Sequence, residues 1–163
     1  LAPVSDAKAQ SQIAAEVNPV WQSLADHIPP APHDTGIASL LSIFTFARAG
    51  RAEVAKAIVE QTRKRCPVPE SATAGSDDDV LTKNQVACLM AEGVLAAATG
   101  DMKEAASLLG RAFCQSKFPV WDAAVGGSHE QQEVLHDLYY FALLKAGDED
   151  GAKKYARDHS LHF

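Results

Sequence analysis

Aromatic residues make up only 7% of this 163-residue chain, and it has three cysteines. Strands favour β-branched and aromatic residues, so the shortage of aromatics counts against an all-β fold. No stretch alternates apolar and polar residues around an Asn-Gly or Asp-Gly turn, which removes the hairpin signal. Three cysteines without a Cys-x-x-Cys pair cannot build a dense disulfide framework. No apolar run approaches the ~20 residues that span a bilayer as a helix. Positive charge is also short. Lys and Arg number 15 against 21 Asp and Glu, a formal net charge of −6. That balance argues against sequence-independent binding to nucleic acid, which needs a cationic surface.

What is present is an ordinary globular composition, 47% hydrophobic and 22% charged. It is too apolar for a disordered chain, and the length suits one domain. Alanine, the best helix former, is the commonest residue. Helical periodicity recurs in window after window. Ser5 to about Glu16 reads as a first helix. Asn18-Pro19 opens a second, with Val20, Trp21, Leu24 and Ile28 as its apolar stripe, ended by Pro29, Pro30 and Pro32. Asp34 or Thr35 caps a helix carrying Ile37, Leu40, Leu41 and Phe44. Its partner runs from Arg51 to about Arg65, with cations in the last turn where the helix dipole favours them. Residues 67–79 form a polar linker. The next helix is expected from Val80 to Thr99, with Asp78 or Asp79 as its cap or in its first turn, and Asp101 caps another through about Lys117. Ser128 caps a helix from His129 to Ala146, and Asp148 opens the last, ending near His159.

Three of these helix pairs share one turn. They read Phe-Ala-Arg-Ala-Gly50-Arg-Ala-Glu-Val-Ala55, Ala-Ala-Ala-Thr-Gly100-Asp-Met-Lys-Glu-Ala105 and Leu-Leu-Lys-Ala-Gly147-Asp-Glu-Asp-Gly-Ala152. In each, a glycine that can take positive φ ends the first helix. An alanine five residues later lets the second helix cross closely. The glycines are 50 and 47 residues apart. This predicts an all-α helical-repeat array, an α-solenoid of antiparallel helix pairs over 34–65, 80–117 and 128–159 with an N-terminal helical segment at 5–28.

The middle pair resembles a tetratricopeptide repeat (TPR). Gly93, Gly100, Ala105 and Ala112 fall at the small-residue positions of that motif and Leu109 at its large apolar one. Ile43 and Tyr140 stand at the Gly93 position in the other two pairs. The stretch Trp21 to Leu24, His33-Asp34, Ala47-Arg-Ala-Gly50-Arg, and above all Val125-Gly-Gly-Ser-His-Glu-Gln131 with Ala142-Leu-Leu-Lys-Ala-Gly147, resembles the C-terminal half of tetratricopeptide repeat protein 38-like proteins. Gln132-Glu133 replaces that family's Arg-Asp pair. The resemblance implies a helical-repeat solenoid and no particular reaction.

Candidate chemistry is sparse. His129, Glu133 and His136 share a helix face and are all metal-ligating types, but their order is not His-Glu-x-x-His. A polar helix start, with Glu133 and Asp137 on its wet side, is the better reading. Cys66, Cys88 and Cys114 have no local base that would form a thiolate, and Cys88 and Cys114 read as small buried hydrophobes. Gly126-Gly127-Ser128 could hold an anion, or simply turn and cap the chain. Asp77-Asp78-Asp79 lacks EF-hand spacing. Trp21 and Trp121 serve core packing or an interface.

The expectation is therefore a non-catalytic protein-interaction scaffold or accessory subunit. It would need no cofactor or metal, bind other protein subunits, and have open repeat ends through which copies could associate. The alternatives are the C-terminal fragment of an enzyme, or a metal-binding helical domain using His129, Glu133 and His136. We expect a soluble intracellular chain, cytoplasmic or, after removal of a presequence ahead of Leu1, organellar.

Overall fold

A computed structural model describes residues 18–28, 36–65, 81–114 and 124–159. The protein is all-α. The chain is helical over 18–27 (α1), then forms α2 (Ile37–Arg48), α3 (Ala52–Arg65), α4 (Lys83–Thr99), α5 (Met102–Cys114), α6 (His129–Ala146) and α7 (Glu149–Asp158). A short helical piece at 124–125 precedes α6, and no strand occurs among the described residues. The helix expected at 5–16, the linker at 67–79, Cys66 and Trp121 lie outside the described residues.

The three glycine turns are built alike. Gly50, Gly100 and Gly147 have φ of 77°, 93° and 89°. Each glycine N–H donates to the carbonyl three residues back: Ala47, Ala97 and Leu144, all at 3.2 Å. The following N–H reaches five residues back, Arg51 to Phe46 at 2.8 Å, Asp101 to Ala96 at 2.9 Å and Asp148 to Leu143 at 3.0 Å. These bonds satisfy carbonyls that a helix C-terminus leaves open, and only a left-handed residue places the amides there. Ala55, Ala105 and Ala152 are fully buried, as close helix crossing requires.

α2 begins after Gly36 with no side-chain cap, so its N-cap is neither Asp34 nor Thr35, whereas side chains cap the starts of α4, α5, α6 and α7. Thr82 and Ser128 each form a reciprocal capping box, with Gln85 and Gln131. Asp101 Oδ1 accepts from Glu104 N, and Asp148 Oδ1 from Gly151 N. The start of α4 corrects the sequence reading. Thr82 caps it and Lys83 begins it, so the cap is neither Asp78 nor Asp79. Thr82 supplies a hydroxyl with Gln at the third helical position, a pairing the run of aspartates obscured.

Packing follows chain order. α2 lies against α3 and α4, α3 against α4, α4 most extensively against α5, α5 against α6, and α6 against α7. A Cβ on Gly93 of α4 would stand 2.8 Å from Leu109 Cγ, so the missing side chain is what lets α5 approach. The core runs through Leu40, Ile43, Met90, Val94, Leu109 and Leu135. Among the described residues no buried side-chain nitrogen or oxygen lacks a hydrogen-bond partner. None of the helices there is long and apolar enough to cross a membrane.

Candidate interaction groove

The first helices of the three pairs, α2, α4 and α6, enclose an apolar groove of about 230 Å³. α2 contributes Leu40, Leu41 and Phe44, and α4 contributes Val94 at the floor. α6 supplies the opposite wall through Val134, Leu135, Leu138 and Phe141, with Asp137 at the edge. The exposed lining is wholly apolar. One end is pinched. A Cβ on Gly127, just before α6, would stand 2.7 Å from Ile37 Cγ2 at the start of α2. Gln132, buried, donates from Nε2 to the Gly126 carbonyl at 3.2 Å and holds this Gly-Gly turn in place. The two walls run away from that contact.

Isolated exposed apolar residues are ordinary, but a cluster is informative. Leu41 is 37% exposed, and Val134 and Phe141 are each 51% exposed, all three on this groove. Burying them completely would release about 2–4 kcal/mol. Apolar spacing along a helix does not by itself mean burial: Val134 and Phe141 of α6 form the wall of an open groove. The same holds on α1, where Val20 and Leu24 of the expected apolar stripe stand 56% and 48% exposed. Ala25 is the buried residue of that helix. Trp21 meets Phe44 edge-on with ring centroids 5.6 Å apart, so α1 flanks the α2 wall.

A second concavity of about 330 Å³ lies among α3, α4 and α5. It is polar. Arg63 bridges Glu60 and Glu92 at 2.9 and 2.7 Å across it. The hydrogen bond and charge of Glu92 raise the Arg63 pKa still further above its already high ordinary value. Exposed ion pairs of this kind contribute little stability, and they break up the apolar surface that Val59, Leu95 and Leu108 offer beneath them.

The histidine face divides. The Phe113 and His136 rings lie 4.6 Å apart, and a hydrogen bond joins His136 Nδ1 to the Tyr155 hydroxyl. Glu133 is exposed. The side chain of His129 lies outside the described set. Among the described residues no three His, Cys, Asp or Glu side chains gather as a metal site would need. Around His136, Tyr155 packs edge-on to Tyr139 at 4.6 Å and His159 stacks on Tyr155 at 4.1 Å. Burial pushes the Tyr139 hydroxyl up to about 12 and raises Tyr155 further, so both phenols stay protonated. This aromatic knot fastens α7 onto α5 and α6. The sequence reading did not find it, because its members come from three helices.

Cys88 is buried, with Sγ 3.7 Å from the Thr62 carbonyl, as an inert core thiol would be. Cys114, the last residue of α5, is exposed, contrary to expectation. An all-helical stack with an apolar groove between its first helices is what fold and site together define. No protein-family model matches the chain, and no curated protein or solved structure matches it.

Proposed function

We propose that this chain is a non-catalytic, TPR-like interaction module, a scaffold or accessory subunit that holds another protein in the groove of α2, α4 and α6. The observation that carries the reading is that groove, where three half-exposed apolar residues converge on a floor without polar groups. The repeat character is supported by the three matching turns and by packing between helices one or two apart in order. In a stacked array each unit touches its neighbours, and the first helices line the concave side. The resemblance to tetratricopeptide repeat protein 38-like proteins points the same way.

The test is reconstitution. A partner that co-purifies with the chain from its source is expressed separately and mixed with the purified protein. Binding is expected to fall at least about tenfold when Val134 and Phe141 are both changed to serine, a typical loss for removal of central apolar anchors. A partner that binds the double variant as tightly would remove the groove, and with it this function.

A further inference from the structure

The geometry points to the groove's occupant: an amphipathic α-helix of a partner protein, apolar on one face and basic along the edge that meets Asp137. This rests on the interaction reading above and narrows it.

The reasoning begins with hydrogen bonds. The walls and floor are helices, whose mid-segment amides and carbonyls are already paired, and the exposed lining is wholly apolar. An extended peptide laid there would bury backbone N–H and C=O groups with nothing to receive them, at a cost comparable to the hydrogen bonds lost. A helix pairs its own backbone and offers only side chains. A small molecule fares no better, since small-ligand sites rely on a few polar groups to fix orientation.

Size and charge complete the picture. Phe141 lies seven residues beyond Val134 along α6, about 10 Å or two helical turns. A groove of about 230 Å³ admits side chains but not a helix body. It therefore matches two or three large apolar residues spaced i, i+3 or i+4 along one helix face. Asp137 stands at the groove edge, and Glu133 is exposed one turn before it. The chain as a whole carries −6. Lysine or arginine beside the occupant's apolar face would meet this acidic edge.

The experiment is selection from a displayed library of random peptides about four helical turns long, using the whole chain as bait. Selected peptides are then synthesised and titrated by fluorescence anisotropy. Binders are expected to show apolar residues at i, i+3 or i+4, an excess of Lys and Arg, and helical circular dichroism when bound. A central proline should abolish their binding. Phe141→Ser and Val134→Ser, both at exposed positions, should each weaken binding about tenfold. Asp137→Lys should weaken lysine-bearing peptides and spare their glutamine counterparts. Binders without helical spacing that still need Phe141 would overturn the helical occupant and leave the interaction reading standing. A library yielding no groove-dependent binder would overturn the helical occupant. Loss of the reconstituted partner's dependence on the groove is the separate result that overturns the interaction reading. Self-association that Val134→Ser abolishes would assign the groove to a second copy and overturn a foreign helix.

Discussion

Replacing the turn glycines with alanine tests whether the three turns are one device used three times. At Gly50, Gly100 and Gly147 nothing stands within 4 Å of an added Cβ, so no neighbour resists it. The cost is purely conformational. φ lies between 77° and 93° at the three sites, where a Cβ costs about 1–2 kcal/mol through its own backbone. Alanine also stiffens the unfolded chain, which offsets a few tenths of that. The net loss should be about 1 kcal/mol at each site, the same within about 0.5 kcal/mol. The turns share no residue, so the triple variant should lose about 3 kcal/mol, a large part of a typical domain's stability. Asparagine, which tolerates the left-handed region, should cost less than alanine at every site. Urea unfolding followed by far-UV circular dichroism measures each midpoint at constant slope. Losses that differ widely among the three, or an asparagine worse than alanine, would refute the equivalence.

Other outcomes follow from single contacts. Gly93→Ala already places a Cβ 2.8 Å from the buried Leu109 side chain, a clash its helix-propensity gain partly offsets, and Gly93→Val adds two methyls to the same Cβ and should cost more, about 3 kcal/mol. Thermal denaturation separates the two. Ser128→Ala should remove about 1 kcal/mol through loss of the capping box that starts α6, read from the urea midpoint. Alkaline conditions should weaken the fold. The folded Tyr139 hydroxyl is raised to about 12 from an ordinary value near 10, so the unfolded chain loses its proton first. Its contribution is complete below about pH 10 and is lost as pH rises towards 12. Tyr139→Phe should flatten that fall in the urea midpoint.

Helix ends were the most legible feature of the sequence, for a local reason. Glycines at 50, 100 and 147, and the caps Ser128, Asp101 and Asp148, act within one turn of themselves, and the structure places all six where the pattern did. Burial was less legible. Periodicity marks one face of α6 as apolar, but it cannot distinguish Leu135, fully buried, from Val134, half exposed on the groove. That distinction depends on how far α2 and α6 stand apart, which the Ile37 approach to Gly127 sets. The aromatic knot was invisible for a similar reason, since Phe113, His136 and Tyr155 meet only after α5, α6 and α7 have stacked. The same holds for Gln132. It reads as one more polar residue at a helix start, and it is buried against the Gly126 carbonyl.

Photo-crosslinking from defined positions tests the groove most directly. A photoreactive residue would be placed at Leu41 or at Phe141, on opposite walls, and for comparison at Lys153 on the exposed side of α7. Crosslinking is then carried out in the cells that make the protein. A groove that holds a protein partner predicts one crosslinked species common to Leu41 and Phe141 and absent from Lys153. Equal labelling from all three positions, or none from the groove pair while Lys153 captures the partner, would contradict it.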